Sequence, residues 1–189
     1  MTDQHPGDVL AFWFGVGADY GKRHKRWFVK DPAFDAEIAR RFSWLHEARA
    51  ADRRWLDSAR GCLARILVLD QFPRNMFRGT ARAFATDALA LETARHAVDN
   101  GYDRELLPVE RQFIYLPFEH GERLEDQERA CELCQPLAAF PETDDALRYA
   151  IAHREIIRRF GRFPHRNAIL GRASTLEELE FLRQPGSSF

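Results

Sequence analysis

Pro32-Ala-Phe-Asp-Ala-Glu-Ile-Ala-Arg-Arg-Phe-Ser-Trp-Leu45 decides the fold class. Phe34, Ile38, Phe42 and Leu45 recur at i, i+4, i+8 and i+11, which is one continuous stripe on an α-helix. Glu37, Arg40, Arg41 and Glu47 fall on the other face and suit water. Pro32 opens the helix at the one place where its missing N–H costs nothing.

The same reading extends in both directions. Towards the N-terminus, Asp8 to Phe14 predicts a short helix stopped by Gly15 and Gly17. Asp19 to Asp31 is basic, contains Trp27-Phe28, and reads as a loop or irregular helix. Towards the C-terminus, Ser58 can cap a helix that Leu63, Ile66, Leu67 and Leu69 make apolar on most sides, so it belongs at the centre. Pro73 disfavours the α conformation at Phe72 and predicts an end there. Thr86-Asp87 and Asn100-Gly101 bracket another helix, with Leu91, Ala94 and Val98 inward.

Pro108 opens the next, with Val109, Phe113 and Leu116 on one side, and Pro117 breaks or kinks it. Leu124 to Leu137 is helical by spacing, and Asp144 to Phe160 is a further helix closed by Gly161. Ser174-Thr-Leu-Glu177 reads as a capping box that opens a last helix with Leu176, Leu179 and Leu182 buried. No stretch alternates with period two. The expectation is therefore an all-α single domain over residues 1–189, with seven or eight helices packed as antiparallel hairpins. Its core spans about residues 9–182, with 1–7 and 184–189 as flexible tails. The tetratricopeptide signature and a clean period near 34 residues are both absent. One internal echo stands out, Phe72-Pro-Arg-Asn75 against Phe163-Pro-His-Arg-Asn167.

A chain of 189 residues, 45% hydrophobic and 30% charged, can bury a core without a metal or disulfide staple. The net charge of −1 argues against electrostatic nucleic-acid binding. Charge is segregated, however: nine acids lie between Glu119 and Asp145, and six arginines between His153 and Arg172. They form either two solvated faces that attract each other or a set of arginines converging on an anion. Three cysteines point to a reducing compartment, hence the cytoplasm. No apolar run approaches membrane-spanning length.

Three segments set polar groups beside core-forming residues: Asp70-Gln-Phe-Pro-Arg-Asn75, Pro117-Phe-Glu-His120 and Gly161-Arg-Phe-Pro-His-Arg-Asn167. Asp70 follows Ile66 by four residues and Leu67 by three, so it projects from an apolar face and needs a partner such as Arg74 or Arg166. His153 lies on a stripe with Tyr149, Ile156 and Phe160 and is by itself a core histidine. Its company is what marks it: His120, His165, Glu119 and Asp70 flank helix breaks together with Arg74, Arg158, Arg162 and Arg166. No metal-ligand spacing occurs, and no cofactor motif. Cys131-Glu-Leu-Cys134 sits well inside a helix and reads as two small packing residues.

These segments, with Leu170-Gly-Arg172, resemble a bacterial family, domain of unknown function 924, from about Val9 to Leu182. The resemblance implies a tetratricopeptide-like α-α superhelix and brings no activity, substrate or cofactor. Three functions are consistent with the residues. One is a binding module in which Arg74, Asn75, Arg162, Arg166 and Asn167 hold a small anion or an acidic peptide. Another is a hydrolytic or acid–base enzyme using His120, His153 or His165, oriented by Glu119 or Asp70. The third is a protein–protein scaffold whose polar centre is purely architectural.

Overall fold

A computed structural model describes residues 5–49 and 53–188, and among these the regular secondary structure is entirely helical. Nine α-helices follow in order: α1 Pro6–Phe14, α2 Pro32–Arg49, α3 Ala59–Ile66, α4 Phe72–Met76, α5 Asp87–Asp99, α6 Pro108–His120, α7 Leu124–Cys134, α8 Ala146–Phe160 and α9 Leu176–Phe181. Short 3-10 turns occupy several connections, including Lys25–Trp27 and Pro164–Arg166. α1 already begins at Pro6, within the stretch expected as a tail, and residues 1–4 of that stretch lie outside the described residues.

The stripe that decides the fold is buried as the spacing predicts, with Ile38 and Leu45 wholly enclosed and Phe34 and Phe42 nearly so. It closes on an aromatic cluster around Trp13, whose ring lies 5.7 Å from Phe72, 5.6 Å from Phe113 and 5.8 Å from Phe34. Rings at such separations add to the gain from burial alone. Helices α5 to α8 pack each on its sequence neighbour, as expected of hairpins. The N-terminal half is arranged differently: α1 packs on α3 and α2 on α4, so alternate helices meet there. A second, small apolar cluster of Ile156, Ile157 and Phe163 supports α9 through Phe160 and Phe181.

Three sequence expectations are corrected. The central helix does not end at Phe72. It passes through one π-helical turn, Leu67–Gln71, directly into α4. The N–H of Phe72 reaches back to the Leu67 carbonyl, and Pro73 has no N–H to give. The carbonyls of Val68 and Leu69, which an α-helix would pair with residues 72 and 73, are answered instead by side chains. His46 Nδ1 donates to Val68 O at 3.1 Å, and Thr86 Oγ1 to Leu69 O at 2.5 Å. Proline is thus tolerated in mid-helix because His46 on α2 and Thr86, just before α5, donate to these carbonyls.

Pro117 likewise lies inside α6, so Glu119 and His120 occupy its last turn rather than a following loop. In α9 the cap is Thr175 with Glu178, one residue later than the sequence suggests. Leu176 and Leu179 consequently face outward, 86% and 45% exposed, while Leu182 is only partly buried. The helix turns Glu178 inward to Arg162 and Phe181 onto Phe160, and in six residues these contacts outweigh a leucine pattern.

Replacing Thr86 with valine keeps the shape and removes the donor to Leu69 O. Leaving that buried carbonyl unanswered should cost about 1–3 kcal/mol, and each kcal/mol should lower Tm by roughly 2–4 °C. Calorimetry of T86V against T86S measures it; equal melting would show that the π turn does not rely on this hydroxyl.

Candidate polar centre between the two apolar clusters

The π turn aims Asp70 away from water. Its side chain has no exposure, and three groups answer it: His120 Nδ1 donates to Oδ1 at 2.7 Å, Gln71 Nε2 to Oδ2 at 2.6 Å, and Arg74 Nη1 stands 3.1 Å from Oδ1. Burial would push this carboxyl upward, but Arg74 and His120 outweigh burial and hold it well below the usual carboxylate range. An ionised carboxylate only accepts, so His120 carries its proton on Nδ1 and its lone pair on Nε2. Burial and the Arg74 charge lower the affinity of His120 for a second proton. Its side chain is 13% exposed, so it lies at the rim of the cluster.

Arg74 also grips Asp87, the first residue of α5, with both guanidinium nitrogens at 2.9 and 3.0 Å. Arg166 reaches the same carboxylate from the 161–167 loop, at 3.4 Å, and donates to the His120 carbonyl at 3.1 Å. Its guanidinium lies over the rings of Phe84 and Phe163 at 4.7 and 4.5 Å, a favourable cation–π setting. Burial, then the Arg74 charge, lower its pKa to about 10.

The loop owes its path to Gly161, whose φ of 67° closes α8 in the left-handed region that suits glycine. Glu122 then pins it, accepting from the Phe163 N–H at 2.8 Å and from both Arg172 nitrogens at 2.6 and 2.9 Å.

Behind His120 lie His153 and Glu119. The two imidazoles are 6.2 Å apart between ring centres, and His153 Nδ1 donates to the Tyr149 carbonyl at 2.9 Å. Burial, with the charge of His120, lowers the His153 pKa to about 3. Burial, with Arg166, lowers that of His165 to about 4. Glu119 Oε1 accepts from the Cys134 thiol at 3.6 Å, and Oε2 lies 3.5 Å from His153 Nδ1. Burial, only partly offset by the Cys134 hydrogen bond, raises its pKa to about 8, so it is protonated near neutrality. Cys131 and Cys134 are buried, and burial pushes both thiols up, the reverse of an activated pair.

Seven of the ten residues singled out in the sequence therefore meet: Asp70, Arg74, Glu119, His120, His153, His165 and Arg166. Three do not. Asn75 bonds Asp35 on α2 at 2.7 Å, Arg162 is paired with Glu178, and Asn167 braces the loop against Ser174 and Arg172. The arginines of residues 153–172 do not converge as a set. Arg158 pairs with Glu155, Arg159 with Glu177 and Arg172 with Glu122. Asp87 and Glu122 are the members that sequence reasoning overlooked; Asp87 reads there only as a helix start. Among the described residues, no three His, Cys, Asp or Glu side chains are placed to hold one metal ion. An open depression of about 420 Å³ lies elsewhere, lined by Gly15, Val16, Asp19, His24, Lys25 and Arg26. No helix among the described residues is long and apolar enough to cross a membrane.

Two comparisons with known proteins match. The family model described as "Bacterial protein of unknown function (DUF924)" matches residues 9–186. The solved structure of a protein of unknown function from Agrobacterium tumefaciens is 45% identical, with a TM-score of 0.83, over 94% of this chain and 96% of that one. No curated protein matches.

The buried groups fix how stability depends on pH. His153 and His165 bind fewer protons folded than unfolded between about 3–4 and 6.5, so stability rises with pH across that window. Glu119 binds more protons folded than unfolded between 4.5 and about 8, so stability falls as pH rises there. The two effects oppose below 6.5, and Glu119 dominates above it. Wild type should thus be most stable near pH 6.5 and lose up to about 1.4 kcal/mol per pH unit beyond it. In E119Q the fall between pH 6.5 and 8 should vanish in melts across that range; an unchanged slope would show that Glu119 is ionised when folded.

Proposed function

This chain belongs to the DUF924 family of bacterial proteins of unknown function, and we propose that it is an acid–base enzyme, hydrolytic in its simplest form, with His120 as the general base. The observation that carries this reading is the 2.7 Å hydrogen bond from His120 Nδ1 to the fully buried Asp70. It fixes the tautomer and ring orientation and presents a basic Nε2 at the rim, the arrangement by which a carboxylate prepares an imidazole to take a proton. The lowered proton affinity of His120 keeps it in the free-base form near neutrality. Arg74 and Gln71 hold Asp70 in turn, so the base rests on a braced carboxylate. Among the described residues, no serine or cysteine is hydrogen-bonded to His120, which favours activation of water or of a substrate proton over a covalent route.

A second reading, a binding module for a small anion, draws on Arg74 and Arg166, which meet at Asp87. The stacking of α5 to α8 on their sequence neighbours supports a tetratricopeptide-like arrangement for that half of the chain. Three free, buried cysteines support a reducing, cytoplasmic setting.

The decisive variant is H120N. Its amide nitrogen replaces Nδ1 as donor to Asp70, whereas nothing replaces Nε2. A panel of p-nitrophenyl esters, phosphate esters and anilides should reveal a turnover that H120N lowers by about 100-fold or more, with Tm nearly unchanged. D70N, which can turn the imidazole around, should lower it comparably. Turnover that survives H120N would remove His120 from the chemistry.

A further inference from the structure

The two Phe-Pro segments deliver Arg74 and Arg166 to one point, and that point is occupied by the side chain of Asp87. We propose that Asp87 is a place-holder: the site binds an oxyanion, the carboxylate or phosphate of a substrate, which displaces Asp87 from these arginines. The inference rests on the reading of His120 as the base, and names the class of substrate presented to it.

Four observations support it. Asp87 opens α5, a helix of 13 residues, so the position gains the positive end of a helix dipole as well as two guanidinium groups. The fit of Arg166 is incomplete. Its side chain is 7% exposed, its Nη1 stands 3.4 Å from Asp87, beyond ordinary hydrogen-bond length, and its buried Nε has no partner among the described residues. A carboxylate on a short, backbone-anchored side chain satisfies Arg74 and leaves Arg166 under-bonded; an oxyanion free to settle between them can serve both.

Asp87 is also able to leave. Its side chain is 19% exposed, whereas that of Asp70 is fully enclosed, so only Asp87 can exchange its arginines for water. Finally, the position adjoins the base. Arg166 donates to the carbonyl of His120, and Arg74 contacts Asp70, which holds the His120 ring. A substrate anchored there by its anionic end would carry its reacting atoms along the rim towards Nε2. Because the incoming anion takes over contacts that Asp87 already makes, and Asp87 stays tethered nearby as a competing charge, a bare ion should bind only weakly.

Titration of the whole protein with inorganic phosphate and, separately, with acetate tests this, read as Tm and by calorimetry against sodium chloride of equal ionic strength. Wild type should show a saturable response in the millimolar range to at least one of the two, and the one that responds identifies the anionic group. D87N retains both arginines and removes the competitor, so its half-saturating concentration should fall at least fivefold. R166M should lose the response, and H120N should keep it. A D87N protein no more responsive than wild type, or a response undiminished in R166M, would overturn the proposal; should R166M fail to fold, D87N alone decides. Anion binding without turnover would remove the catalytic reading and leave this one standing, and turnover dependent on His120 without anion binding would do the opposite.

Discussion

A carboxylate with no access to water must be answered from inside the protein, and in this chain that carboxylate is Asp70. Its partners tie its own helix to α6. Arg74 comes from the next turn of its own helix, Gln71 from the neighbouring position and His120 from the last turn of α6. Arg74 extends the network to α5 through Asp87, and Arg166 ties in the loop after α8. Removing one partner from such a buried set is costly, because the remaining charges stay enclosed and uncompensated.

The polar centre lies along a seam. On one side is the main core built around Trp13; on the other is the small cluster of Ile156, Ile157 and Phe163 beneath α9. α8 spans both clusters, with Ala146 and Ala150 in the main core, and ionic, directional contacts position the loop that follows it: Arg172 to Glu122, and Arg166 to Asp87 and the His120 carbonyl. Such contacts fix geometry more than they add stability. The loop that carries Phe163, His165 and Arg166 is therefore fixed both by the burial of Phe163 and by these directed contacts, and a loop so positioned suits residues facing a ligand.

Much of this was legible in the residues. The stripe Phe34, Ile38, Phe42 and Leu45 declared a helix because four large apolar side chains at helical spacing have one economical solution. The cost of burying Asp70 was readable from Ile66 and Leu67, and with it the need for a partner such as Arg74, which does answer it. What could not be read depends on partners distant in sequence. The helix runs through Pro73 because His46 on α2 and Thr86 ahead of α5 supply donors from afar, which no local rule registers. Asp87 read only as a helix opening, since the chain does not announce which side chains a helix terminus will face. In α9 an ion pair to Arg162 and a ring contact overrode a leucine pattern six residues long.

The π turn has a consequence for anyone who would rebuild this protein. A helix with one i→i+5 step holds one residue more than a regular helix of the same span. Deleting a residue between Leu67 and Gln71 would restore an unbroken α-helix and rotate every position on one side of the cut by about 100° relative to the other. The apolar stripe of α3 and the polar group that ends it would then no longer face the directions they face now. Regularising a backbone is ordinarily a route to greater stability. In this fold the irregular turn works as an offset between two helical registers, one set by the core and one by the polar centre, and an idealised scaffold could keep only one of them.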